Sequence, residues 1–420
     1  NLTTGIDFEN NGTTTLSWNR VVTTTGGLKG DGDIVITNID VNNPTGLTLA
    51  QTGNTIYSGT ITGTGSFTKT GTGTLTLNGI AGSVDLGSKL IIDNGILALD
   101  GDYILADTLD VLINNNGTMQ LIDGDQEIDE LMGTGLIDLG TDNKLVVNEG
   151  GNFSGRVIGT GTLDIVNGDF DIDDDITSDN KDSAFNVGSN ATTTITQGST
   201  LTFPTVDVQG TLNVNGTTQA TTVTVQDSGT LNVGGTVNAS NSVIVYDGAT
   251  LHLNNGGNIQ TDIASIYGVL NGIGSISGDT TVYSGGTLRP GNSPGTITFD
   301  SLTLLGGSVV DMEINNSGVA GVDFDQIISR GALNIASGTT LNIIKYDTAM
   351  PVAEELSMGE TIKVFNFTPG AVSGKFDSVT STYDNDVLFN IASGEVVGLG
   401  GLSSTEFQKS IAKTSNQKSM

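Results

Sequence analysis

The sequence predicts an all-β fold: a right-handed parallel β-helix of three-strand coils of about 19–20 residues, with a C-terminal β-rich cap. Three observations predict it. A phrase returns at a period near 20: Gly210-Thr211-Leu212-Asn213-Val214, Gly229-Thr230-Leu231-Asn232-Val233, Ala249-Thr250-Leu251-His252-Leu253, then Val269-Leu270 and Gly286-Thr287-Leu288. Its leucines are spaced by 19, 20, 19 and 18 residues. Within each phrase the aliphatic residues sit two apart, the alternation of a strand with one buried face. The first 350 residues hold no long window of helix formers at a 3.6-residue period, and the nearest candidate, Gln126 to Met132, spans barely two turns.

The coils are clearest between Leu201 and Gly295. Thr222-Val223-Thr224-Val225 is followed by Thr230-Leu231-Asn232-Val233 and Thr236-Val237-Asn238-Ala239, and the order repeats from Ser242-Val243-Ile244-Val245. Three short strands per coil imply a triangular cross-section, with successive coils stacked as parallel ladders about 4.8 Å apart. Handedness follows the general preference of parallel crossovers. The N-terminal half carries a second phrase, G-x-G beside an apolar strand, at Gly30, Gly63, Gly71, Gly133 and Gly159, with a later copy at Gly272. A nucleotide-binding fingerprint needs a helix after the loop; strands on both sides make these corner turns. Residues 1–300 are therefore expected to form the β-helix. Residues 301–402, with longer segments and more phenylalanine, are expected to form its C-terminal end and cap, since an open last coil exposes unpaired backbone. Residues 403–420 read as a polar, lysine-bearing tail.

Charge excludes several functions. There are 46 acidic against 15 basic residues, a net of −31, so the cationic footprint that nucleic acid requires is missing and anionic membrane surfaces are disfavoured. No apolar run reaches the length of a membrane span. No cysteine is present, which removes disulfides and thiolate sites, and one histidine, His252, cannot build a polyhistidine metal centre. His252 lies between Leu251 and Leu253 at an outward position and is expected to face solvent. Among the acidic residues, Asp169, Asp171, Asp173 and Asp175 form a run of hard oxygen ligands that could take calcium, the one cofactor the sequence suggests. Their spacing matches neither an EF-hand nor a glycine-aspartate calcium repeat, and a solvated loop is the competing reading. Paired carboxylates could cleave polysaccharides, yet aromatics make up only 5% of the chain, with a single tryptophan, Trp18. No catalytic residues are expected, and the chain reads as no enzyme. The start at Asn1, with neither methionine nor signal peptide, reads as a processed or excised segment.

Two segments are similar to the passenger domains of autotransporters, the secreted arms of Gram-negative type V secretion. One runs from Tyr57-Ser58-Gly59 through Gly63-Thr64-Gly65-Ser66-Phe67-Thr68-Lys69-Thr70-Gly71-Thr72-Gly73-Thr74-Leu75-Thr76-Leu77 and resembles the short passenger-associated repeat; Phe153-Ser154-Gly155 through Leu163 is a second, weaker copy. The other opens with Gly285-Gly286-Thr287-Leu288-Arg289-Pro290-Gly291-Asn292-Ser293-Pro294-Gly295 and leads through Asp323-Phe324-Asp325-Gln326-Ile327 to Val372-Ser373-Gly374-Lys375-Phe376. It resembles the C-terminal, autochaperone-like end of the passenger β-helix. The family's membrane β-barrel would follow, and no amphipathic strand series does so before Met420. The resemblance implies an extracellular or cell-surface location on a Gram-negative bacterium. It implies a non-enzymatic adhesin or surface-structural protein whose partner is a host or neighbouring-cell surface, a glycan, or copies of itself. A self-assembling filament, sheath or surface-layer subunit is the alternative, and a polysaccharide-active enzyme comes third.

Overall fold

The computed structural model describes residues 8–16, 21–38, 45–178, 180–291, 293–315, 318–345, 359–382 and 387–398. The expected tail at 403–420, Trp18 and part of the expected cap (346–358) lie outside them. The chain divides into two compact units, residues 1–221 and 222–420. Each is a parallel β-solenoid, and no helix occurs among the described residues. None therefore is long and apolar enough to cross a membrane, which says nothing of a β-barrel.

In unit 1 one buried ladder shows the coil repeat. Leu47 pairs with Phe67, Phe67 with Leu90, Leu90 with Val111, Val111 with Leu131, Leu131 with Gly151, Gly151 with Phe170, Phe170 with Thr193 and Thr193 with Leu212. The steps are therefore 19 to 23 residues, close to the expected period but looser. The G-x-G phrases are corners, as the sequence predicts. Gly63 has φ +117°, and a Cβ there would lie 2.3 Å from the Ile36 carbonyl of the preceding coil, so only glycine fits.

In unit 2 the leucines of the recurring phrase form the ladder Leu231, Leu251, Leu270, Leu288, which continues through Val310 and Leu341 to Val379. All but Val379 are fully buried, so the ladder itself is the core. The step shortens to 18 residues at Leu270–Leu288, then widens to 31 at Val310–Leu341 and 38 at Leu341–Val379. The separate strands 236–239 and 242–245 expected from the sequence run on as one, Thr236–Val245, whose register against the next coil shifts between Ala239 and Ser242. The corner is thus an irregular bend, not a loop. One strand, Thr296–Leu304, spans the expected boundary at residue 300. Beyond the last parallel rungs, Thr361–Lys363, Glu395–Gly398 and Val387–Asn390 pair antiparallel. Phe365, Phe376 and Phe389 pack ring to ring, with centroids 5.5 to 5.7 Å apart. This is the β-rich cap.

Candidate functional site

Strand alternation puts the residue after each ladder leucine on the outer surface, so the core ladder has an outer partner. In unit 2 that outer ladder is polar: Asn232 pairs in register with His252, His252 with Asn271 and Asn271 with Arg289. Further along, Asp311 pairs with Asn342 and Asn342 with Thr380. The side chains bond from coil to coil. His252 Nδ1 lies 2.6 Å from Asn271 Oδ1, Arg289 Nε donates to Asp311 Oδ2 at 2.7 Å, Asn342 Nδ2 donates to Asp311 Oδ1 at 2.7 Å, and Thr380 Oγ1 donates to Asn342 Oδ1 at 2.6 Å.

Midway along this ladder the inserted loops open a cleft of about 330 Å³. Asn271, Arg289, Gly291, Ser293, Asp311, Glu313 and Asp325 line it. Asp325 is 1% exposed and ties two stretches of backbone together: Oδ1 accepts from the Gly295 N–H and Oδ2 from the Glu313 N–H, each at 2.7 Å. Burial pushes its carboxyl up to about 7; the two N–H groups pull against that rise, and the Glu313 charge adds to it. Glu313 Oε2 is shielded from solvent with no hydrogen-bond partner. The lining is acidic apart from the Arg289 guanidinium, which is half exposed.

A second surface feature is aromatic. Tyr246, Tyr267 and Tyr283 occupy one corner of successive coils, with ring centroids 6.2 and 4.2 Å apart and planes within 18° of parallel. Tyr267 and Tyr283 stack closely, whereas Tyr246 lies further along and is exposed.

The acidic run lies in unit 1. Asp169 and Asp171 are exposed on the strand Thr162–Ile172, either side of buried Phe170. Asp173 accepts from Asn152 Nδ2 at 2.6 Å, and Asp175 Oδ1 caps the Thr200 N–H at 2.8 Å. Among the described residues no group of three or more His, Asp or Glu side chains is placed to hold a metal, so the four do not converge as ligands. His252 stands on the outer ladder, half-buried by its asparagine neighbour. Arg289 and Asp325 fall within the passenger-like segment, and Asp311 and Glu313 are not predicted site residues. The signal available was the run Asp311-Met312-Glu313, two carboxylates flanking a core residue of one strand.

No protein-family model matches the chain, and no curated protein matches it. Among solved structures, the crystal structure of a TibC-catalysed hyper-glycosylated TibA fragment, residues 55–350, is similar, with 15% identity over 88% of this chain and 100% of that one. The TM-score is 0.34, and at that value the likeness carries no argument. The parallel solenoid is the architecture that the passenger resemblance implies.

Proposed function

We propose that the chain is a non-enzymatic β-solenoid displayed outside a Gram-negative cell, acting in adhesion to glycan-bearing host or neighbouring-cell surfaces or as surface structure. The observation that supports this reading is the outer ladder of unit 2. It presents polar rungs in register from Asn232 to Thr380, with side-chain hydrogen bonds joining His252 to Asn271 and running from Arg289 through Asp311 and Asn342 to Thr380. Each rung offers a weak contact, and side chains already fixed lose little entropy on binding. Many contacts on many displayed copies then add through avidity. The 46 acidic residues keep such a surface soluble and direct it towards neutral or cationic partners.

The test is retention of the purified chain on glycan-coated surfaces, with a glycan-turnover assay run in parallel. Retention that rises steeply when the chain is clustered, without turnover, is the expected result. Hydrolase or lyase activity abolished by one carboxylate substitution would sink the reading.

A further inference from the structure

We propose that the tyrosine corner of unit 2 is a docking point for an arginine side chain of a basic partner protein, held by Tyr246, Tyr267 and Asp247. This partner class lies beyond the glycan-bearing surfaces named above. The corner is unequal from coil to coil. Val245 pairs with Ile266 and Ile266 with Val282, while Thr250 pairs with Val269 and Val269 with Thr287. The turns between those strands therefore hold residues 246–249, then 267 and 268, then 283–286. A short turn between two longer ones leaves a notch, with Tyr267 at its base.

The groups at this notch are open to solvent and unspent. Tyr246 is 43% exposed, and Asp247 is exposed beside it. Tyr283 covers Tyr267 with centroids 4.2 Å apart, but Tyr246 stands 6.2 Å off with its plane 16° from parallel. At that distance two nearly parallel rings have either parted or slid past each other, and in both cases ring face is left uncovered. Asp227 holds the place of Asp247 one coil earlier, and its Oδ1 lies so close over Gly248 that a Cβ there would strike it. The shortened next turn offers Asp247 no such packing, and no hydrogen bond or ion pair engages its carboxylate among the described residues.

Charge and shape select the ligand. An uncovered tyrosine face attracts a cation, and a planar guanidinium can stack on it while its N–H fork pairs with a carboxylate. One arginine thus uses the ring and Asp247 together. Lysine, a rounder and more strongly hydrated cation, stacks less well and cannot fork. The turns of this corner, residues 226–229, 246–249, 267–268 and 283–286, hold Asp227 and Asp247 and no Lys or Arg. The net charge of −31 draws cationic partners from a distance and holds off phosphate, sulfate and uronate groups.

Saturation-transfer NMR on the whole chain tests the site, with the amidated peptide acetyl-Gly-Gly-Arg-Gly-Gly and its lysine and citrulline counterparts. The expected order is arginine above lysine, with no transfer to citrulline, which keeps the shape and lacks the charge. Tyr246→Leu leaves the net charge of the chain unchanged, so it separates this site from general attraction. It should weaken arginine binding by roughly fivefold, the worth of one exposed cation–π contact. Tyr246→Phe, which keeps the ring, should hold it. Asp247→Asn should weaken binding by a similar factor, whereas Asp262→Asn, the same charge change at another exposed corner, should not. Thermal melts of all four variants should match the wild type. Four outcomes overturn the site: equal transfer to citrulline, no loss in Tyr246→Leu, equal losses in Asp247→Asn and Asp262→Asn, or transfer to maltotriose without transfer to the arginine peptide. The last would make the corner a sugar platform.

Discussion

In unit 1 long polar side chains turn inward and close the coil corners, whereas in unit 2 the interior is mostly apolar and the long polar side chains, Asp311 and Asp325 apart, stay outside. Lys69 is fully buried, and Nζ donates to the carbonyls of Thr70, Gly71 and Asn94. Gln51 Nε2 reaches the carbonyls of Gly53 and Thr74, Gln126 bridges Gly101 and Leu105, and Asn143 takes those of Leu121 and Leu139. The Tyr57 hydroxyl donates to the Gly32 carbonyl. In unit 2 the buried polar groups are short, such as Thr280, Ser308 and Thr339, and the deep carboxylate is Asp325 beneath the cleft. The carbonyls these side chains reach turn into the interior of unit 1, and a buried carbonyl needs a donor. Tyr57, Phe67 and Lys69 of the passenger-like phrase thus serve the interior of unit 1. In unit 2 the long polar residues are left for the surface, as His252, Asn271 and Arg289 show.

The largest expected effect tests the aliphatic side of this contrast. Leu270→Ala, at a fully buried rung, should cost about 3 kcal/mol in urea unfolding. Lys69→Met keeps the volume but removes the donor from three carbonyls, and should cost about 2 kcal/mol, read by amide exchange at Gly71 and Asn94. A cost below about 0.5 kcal/mol, the size of a neutral surface change, would mean water replaces the ammonium and the contrast between units fails.

Next come two pH windows of opposite sense. Burial lowers the Lys69 ammonium from 10.5 to about 8, so the unfolded chain takes up the proton first as pH falls. Its contribution is fully present above 10.5 and is lost as pH drops towards 8, a slope that Lys69→Met should abolish. Asp325 is raised from 3.8 to about 7, so its contribution is present below 3.8 and is lost as pH rises through 7. The wild type should therefore gain on Asp325→Asn as pH is lowered from 7 to 4 in paired melts. If the gap stays constant across that range, the carboxyl is ionised throughout and burial does not raise its pKa.

The smallest effect concerns the acidic run. Its exposed carboxylates should respond to calcium and magnesium alike, with equal small rises in melting temperature from charge screening. A rise selective for calcium, lost in Asp171→Asn, would restore a calcium site there.

The period of the leucine phrase, the two-residue alternation and the recurrent G-x-G were enough to read the parallel solenoid, its corners and its core, and Leu231, Leu251, Leu270 and Leu288 stack as that spacing implies. These features are legible because each coil repeats one local rule and packs on its neighbours. The buried Lys69 and the cleft were not. A lysine next to threonines in an alternating strand reads as solvated until the facing carbonyls of its own and the next coil are in place. Arg289, Asp311 and Asp325 meet only because loops of unequal length return the chain to the same corner. Local alternation and pitch are properties of the chain itself, whereas which polar groups face each other across coils depends on cumulative register, which every inserted residue changes.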